Sequence, residues 1–155
     1  MSETHTATRD WAEALIELLE RQETVVNELA ALARQQAELI RQSRTDALLG
    51  LLTRRQQLIE RFAGAQDELG RLTADLERRL ETVSDEQRER IQMLLTDISG
   101  RLAQVMQRDE EDQQVLEAAR NRTKDELAAV GTTRQARRAY LGGRGPENRF
   151  ADRRG

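Results

Sequence analysis

The sequence contains no cysteine, one proline, one histidine and four aromatic residues among its 155 residues. Without cysteine it has no disulfide, no thiolate nucleophile and no cysteine-ligated metal. One histidine, His5, cannot build a catalytic triad or a zinc site, and no glycine-rich phosphate loop or HExxH pair occurs. These absences exclude most enzyme classes. We therefore predict a protein that is not an enzyme and that holds no cofactor and no metal.

Long hydrophobic runs are also absent. The longest stretch with almost no charge is 45–53, which contains one acid and is too short to cross a bilayer. The N-terminus lacks the basic-then-apolar pattern of a signal peptide. We therefore expect a cytoplasmic protein with no membrane insertion.

The residues that are abundant are those of long helices. Charged residues make up 34% of the chain and hydrophobic residues 37%, and Ala, Leu, Glu, Gln and Arg dominate. This composition disfavours a sandwich, a barrel or a doubly wound sheet. It favours an all-α fold, which we predict to be an antiparallel up-down-up three-helix bundle or coiled coil with a flexible C-terminal tail.

Apolar residues follow the alternating four-residue and three-residue spacing of a heptad repeat, which defines a seam along each helix. Helix 1 is predicted over 9–41, helix 2 over 46–82, and helix 3 from about 85 to as far as about 140. Thr8 or Asp10 is expected to cap helix 1, and Thr45 or Asp46 helix 2. Helix 3 begins at a capping box that starts with Ser84. The predicted seams are Trp11, Leu15, Leu18, Gln22, Val25, Leu29, Leu32, Gln36 and Leu39; then Leu48, Leu52, Arg55, Ile59, Phe62, Gln66, Leu69, Thr73, Leu76, Leu80 and Val83; then Ile91, Leu95, Ile98, Leu102, Val105, Asp109, Asp112, Leu116, Ala119 and Thr123.

Polar residues interrupt each seam. In an up-down-up arrangement Gln22 lies opposite Gln66, and the two amides are expected to hydrogen-bond each other. Arg55 lies close to Asp112 and Gln113. We interpret these residues as devices that fix the register of the helices.

The predicted helix lengths and turn positions also divide the chain into four segments. Residues 1–8 are predicted to be a disordered N-terminus, 9–122 the bundle, 123–141 an overhanging amphipathic helix, and 142–155 a flexible basic tail that follows Gly142-Gly143-Arg144-Gly145-Pro146. Residues 134–155 contain seven arginines and two acids, about +5, whereas the remainder has 18 basic and 26 acidic residues, about −8. The overhanging helix still carries apolar residues that have no partner inside the predicted bundle, so it is the candidate binding site.

Two other functions fit parts of the pattern. The basic tail could bind nucleic acid, with Tyr140 or Phe150 stacked on a base, although the chain as a whole is acidic and no known nucleic-acid module fits. The arginines that could follow phosphates are Arg134, Arg137, Arg138, Arg144 and Arg149. A structural coiled-coil scaffold or oligomerisation protein with no client is the main alternative. The acidic run 109–112 points to several sides of a helix and is interpreted as solvated or ion-paired rather than as a metal site.

Helices 1 and 2 resemble the flagellar export chaperones of the FlgN type. The resemblance rests on Leu15-Ile-Glu-Leu-Leu19 and on Thr45-Asp-Ala-Leu-Leu-Gly-Leu-Leu-Thr-Arg-Arg-Gln-Gln-Leu-Ile59. It continues in the third helix, in Tyr140 and in the aromatic-x-Asp-Arg element of Phe150-Ala-Asp-Arg-Arg154. FliT-type chaperones are the alternative within the same class.

This resemblance implies a helical chaperone that binds the hook-filament junction proteins FlgK and FlgL and delivers them to the export gate protein FlhA. It places the client on 123–141 and assigns gate docking to Tyr140. The pattern of exposed apolar positions agrees, because such a segment can pack against a client helix. Small-molecule substrates are not expected, nucleic acid is disfavoured, and the protein is expected to be a monomer or a homodimer. The predicted client-binding residues are Leu127, Ala128, Val130, Arg134, Arg137, Ala139, Tyr140 and Leu141.

Overall fold

All the secondary structure in the described part of the chain is helical, which confirms the all-α prediction. A computed structural model describes the backbone of residues 2–152 and the side chains of residue 7 and residues 10–141. The chain divides into two compact units, residues 1–112 and 113–155. No helix in the described part is long and apolar enough to cross a membrane. The five helices are α1 (Ser2–Arg41), α2 (Thr45–Gly64), α3 (Gln66–Thr73), α4 (Leu76–Leu80) and α5 (Asp85–Asp152).

In the first unit, α1 packs against α2 and α3 in the antiparallel sense. Trp11 near the start of α1 donates from Nε1 to the Leu72 carbonyl at 2.8 Å, and Glu28 further along α1 pairs with Arg54 of α2 at 2.6 Å. The residue number of the contact therefore decreases as the residue number along α1 increases, as antiparallel packing requires. The first part of α5 runs parallel to α1 instead, because Arg90 bonds to Glu20 and Asp112 bonds to Gln36.

The core contains the apolar seam residues of α1 and α5. Trp11 is 7% exposed, which confirms its assignment to the core. The buried residues form two clusters along the unit. The larger contains Trp11, Ala12, Leu15, Leu19, Val26, Leu80, Val83, Ile91, Leu94 and Ile98, and the smaller contains Leu29, Ala33, Leu58 and Val105.

The core-facing side of α2 is not the predicted one. Leu51 and Leu58 are buried, whereas the predicted seam residues Leu52 and Ile59 are 41% and 42% exposed. Leu51, Arg55 and Leu58 follow heptad spacing, and so do Leu52, Arg55 and Ile59. Neighbouring positions on a helix lie only about 100° apart, so the sequence allows either set to face the core. Packing against α1 and α5 selects the phase that contains Leu51 and Leu58.

The predicted single helix over 46–82 is wrong, since α2, α3 and α4 occupy this range. One interruption lies at Asp75, whose backbone is left-handed with φ 58° and ψ 32°, a conformation that aspartate adopts more readily than most residues. Helix ends leave carbonyls without helical partners. Here side chains satisfy two of them, since Trp11 donates to the Leu72 carbonyl and Arg88 to that of Leu80. The Phe62 carbonyl accepts both the Ala65 N–H and the Gln22 side chain.

The predicted starts agree for α2 and α5, which begin at Thr45 and Asp85, but one predicted N-cap alone is confirmed. The Gln87 N–H donates to Ser84 Oγ at 3.2 Å, which confirms the cap at the start of α5. The caps expected for the other two helices are wrong. Helix α1 already begins at Ser2, before Thr8, and α2 has Arg44 at its N-cap with no side-chain cap hydrogen bond.

The first unit ends at Asp112 rather than near residue 122. Gln36 is the last buried residue of α1 and contacts Asp112, so α1 offers no buried position beyond it. Helix α5 then continues to Asp152, past the end predicted near 140 and through the glycines at 142–145. Glycine and a single proline weaken a helix without forbidding it. The predictions for the side chains of His5, Phe150 and the arginines of the tail fall outside the described residues.

Candidate protein-binding surface

Four polar residues from three helices meet inside the first unit and form what we call the polar layer: Gln36, Arg55, Asp109 and Asp112. The two guanidinium ends of Arg55 donate to the two carboxylate oxygens of Asp109 at 2.8 and 2.7 Å. Arg55 Nη1 also donates to Gln36 Oε1 at 2.5 Å, and Gln36 Nε2 donates to Asp112 Oδ2 at 2.9 Å. The layer therefore ties α1, α2 and α5 together.

Burial dominates the electrostatics of this layer. The Arg55 side chain is 10% exposed and that of Asp109 is 38% exposed, and Arg55 Nε is buried without a hydrogen-bond partner. Desolvation raises the pKa of Asp112, and the neighbouring charges of Asp109 and Glu111 add to this. The hydrogen bond from Gln36 and the positive charge of Arg55 act in the opposite direction.

The predicted contacts of the seam breaks are partly correct. Arg55 does face the acidic part of α5, but its carboxylate partner is Asp109, and Asp112 bonds to Gln36 instead. Gln22 and Gln66 share an acceptor instead of bonding to each other, since each donates to the Phe62 carbonyl at 3.2 Å. The same carbonyl also accepts the Ala65 N–H at the end of α2.

The polar layer has the character of a register device rather than of a reactive site. Its carboxylates are engaged by a guanidinium and an amide, and no group of residues suited to hold a metal occurs in the described part of the chain. Sliding α2 along α5 would separate Arg55 from Asp109 and strand a buried charge. The layer therefore fixes how α2 aligns with α5.

The second unit presents a long exposed helix surface. Every side chain from 113 to 141 is exposed. Sequence reasoning placed the start of this surface at residue 123, and it missed Val115 and Leu116, which are 50% and 47% exposed. Leu116 belongs to the predicted heptad seam, so a signal was present for it, whereas Val115 lies outside that seam. The most exposed predicted binding residues are Leu127 at 67%, Tyr140 at 60%, Leu141 at 57% and Val130 at 50%.

The predicted client-binding residues do not all share one side of α5. At about 100° per residue, five of them fall within about 80° of the helix circumference. Tyr140 lies about 100° away from the centre of this group, and Ala128 and Ala139 lie on the far side. We call the five-residue group the seam face: Leu127, Val130, Arg134, Arg137 and Leu141.

The seam face has the spacing of a helix seam. Its residues Leu127, Val130, Arg134, Arg137 and Leu141 are spaced alternately three and four residues apart, as are Val105, Asp109 and Asp112 in the first unit. Val105 and Asp112 are buried by other helices, whereas every residue of the seam face is exposed. A helix face with a core-like pattern and no cover is typical of a surface that binds another helix.

Positive charge is concentrated at the C-terminal part of this surface. Between residues 127 and 141 there are three arginines and no acidic residue. Arg134 and Arg137 lie on the seam face, and Arg138 lies at its edge. Within the described residues, none of the three forms an ion pair. The threonines of the segment do have partners, since Thr132 and Thr133 donate to the carbonyls four residues earlier.

Comparison with known proteins places these features in a family. The family model described as FlgN protein matches residues 1–146, nearly the whole chain. No curated protein and no solved structure gives a match. FlgN proteins are flagellar export chaperones. The chain therefore belongs to the FlgN family.

Proposed function

We propose that this protein is a cytoplasmic chaperone of flagellar export that binds the hook-filament junction proteins FlgK and FlgL. In this proposal it keeps them from assembling early and delivers them to the export gate protein FlhA. Membership of the FlgN family supports the chaperone role. The observation that carries the choice of site is the uncovered seam face of α5.

The binding mode is helix against helix. Leu127 and Val130 are the apolar anchors, and full burial of such side chains contributes about 1.5–3 kcal/mol each. Arg134, Arg137 and Leu141 extend the contact by three turns. The affinity is expected to be moderate, because association must offset the ordering of both partners.

Gate docking is assigned to Tyr140 by the family resemblance, and its position is compatible with a separate contact. A client that covers the seam face leaves the Tyr140 ring about 100° away around the helix. One helix could therefore hold a client and present a second surface to the gate. Ala128 and Ala139, on the far side, become client contacts if the client offers two helices.

The arrangement of the first unit is part of the same proposal. The order of the contacts along α1, α2 and α5 supports an up-down-up three-helix bundle. We propose a monomer or a homodimer in solution.

The proposal is tested by co-purification with FlgK and FlgL, using the full-length chain and a variant with Leu127→Asp and Val130→Asp. We expect the variant to lose both clients while its helicity and cooperative unfolding stay unchanged, because neither residue is buried in the protein alone. The matched control is Asn121→Asp with Gln135→Asp, which adds the same charge to exposed positions outside the seam face.

Two results would contradict the proposal. Retention of both clients by the Leu127→Asp, Val130→Asp variant would move the site elsewhere. Absence of flagellar proteins from the wild-type sample, together with self-association of the chain, would favour a structural scaffold.

A further inference from the structure

We infer that the segment bound by the seam face is an acidic amphipathic helix, with carboxylates placed opposite Arg134 and Arg137. This inference rests on the proposed function, since it names the chemistry of the partner at the same site. The partner helix carries apolar side chains opposite Leu127 and Val130. Its carboxylates follow about seven residues, or about 10 Å, further along.

Charge complementarity carries the inference. Two arginines occupy positions of the seam face that would be covered when a helix packs there, and Arg138 lies at the edge. A covered guanidinium that lacks an acceptor is strongly unfavourable. The stretch 127–141 contains no acid that could neutralise these charges. The partner must therefore bring the carboxylates.

The first unit shows how an arginine in a helix seam is paired when another helix covers it. Arg55 occupies a core-facing position of α2, and the neighbouring helix α5 meets it with the bidentate carboxylate of Asp109 and with Asp112 nearby. An arginine in a helix seam is thus accommodated by acids of the adjacent helix at the same level. In the second unit the arginines are on α5, so the acids belong on the partner.

A second copy of the same segment fits this face poorly. Parallel in-register pairing places Arg134 and Arg137 against their own copies. Antiparallel pairing that matches Leu127 with Val130 places Arg137 against Arg120. The seam acids of α5, Asp109 and Asp112, are already engaged in the polar layer. Like charges in contact oppose association, so a foreign acidic helix is the better occupant.

The test uses three labelled 21-residue helical peptides that differ at two heptad positions only. All carry leucine at the other seam positions, and the two variable positions hold glutamate, glutamine or lysine. The dissociation constant of each for the full-length protein is measured by fluorescence anisotropy at 150 mM salt. We expect the glutamate peptide to bind about tenfold more tightly than the glutamine peptide, and the lysine peptide to bind most weakly.

Charge-reversal variants assign the preference to the two arginines. Arg134→Glu with Arg137→Glu should reverse the order of the peptides. Arg122→Glu with Lys124→Glu changes the net charge equally at positions about 100° to either side of the seam face, and it should preserve the order. Circular dichroism checks that both variants remain helical.

Failure of this inference is distinguishable from failure of the proposed function. Equal binding of the three peptides, with loss of all binding in the Leu127→Asp, Val130→Asp variant, would refute the acidic partner and leave the site intact. Failure of every peptide to bind would also refute it, while co-purification of FlgK and FlgL still tests the site independently. Dimerisation that strengthens in the Arg134→Glu, Arg137→Glu variant would identify a second copy as the occupant and refute the inference.

Discussion

Substitution of Asp109 by leucine tests whether the polar layer holds the first unit together. The change removes two of the three hydrogen bonds of the Arg55 guanidinium and leaves only the bond to Gln36. Removing one partner of a fully buried ion pair destabilises a protein by about 3–5 kcal/mol. Because the Asp109 side chain is 38% exposed, water can replace part of the lost interaction. We therefore expect a loss of about 2–3 kcal/mol in the free energy of unfolding.

Urea denaturation followed by circular dichroism measures this loss. The midpoint should fall while the slope with urea stays unchanged, since the substitution does not alter the surface exposed on unfolding. In a thermal scan the same loss corresponds to roughly 4–12 °C. The signal must come from the first unit, so the near-ultraviolet band of Trp11, the only tryptophan, provides a second probe.

The double variant Arg55→Leu, Asp109→Leu separates a stranded charge from lost packing. It removes both members of the ion pair and leaves Asp112 with its hydrogen bond from Gln36, so it should be clearly more stable than Asp109→Leu. A loss below about 0.5 kcal/mol in Asp109→Leu would refute the reasoning, because Arg55 would then be adequately solvated without its partner. Additive losses in the double variant would refute it as well.

Two further predictions concern Asp112 and Trp11. Burial raises the pKa of Asp112, so its ionised form destabilises the fold above that pKa, and the penalty disappears as the pH falls toward the ordinary value of 3.8. Asp112→Asn keeps an acceptor for Gln36 and should equal or exceed the wild type at pH 7, with the difference closing on acidification; a difference that widens in urea titrations at pH 7, 5 and 4 would contradict this. Trp11→Phe loses the bond to the Leu72 carbonyl and the cation–π contact with Arg79, whose guanidinium carbon is 5.3 Å from the ring centroid, and should lower stability by about 1–3 kcal/mol in thermal unfolding followed by circular dichroism. An unchanged melting temperature would show that neither contact contributes.

The candidate binding surface was predictable in part. Leu127 and Val130 were recognisable because apolar heptad positions continue beyond the reach of the other two helices. The grouping of Ala128 and Ala139 with them was a matter of sequence proximity, and on the helix they lie on the far side from Leu127. Regular helical geometry, rather than the residue types, separates the two sets.

The sequence by itself determined the helical class, the N-cap of α5 at Ser84 and the positions of the seam breaks. These features depend on local propensity, on capping and on residue periodicity, which act over a few residues. The helix lengths and the short turns also predicted that Arg55 meets the acids of α5. They could not predict whether Asp109 or Asp112 pairs with Arg55, because the two acids lie within one turn of each other.

Only the tertiary structure decided which side of α2 faces the core and where the predicted second helix is interrupted. Leu51 and Leu52 are equally apolar and adjacent on the helix, so packing against the other helices selects between them. At the end of α3 the donor is distant in sequence, since Trp11, 61 residues away, satisfies the carbonyl of Leu72. A local pattern cannot show this donor, because it reaches the helix end only after the chain has folded.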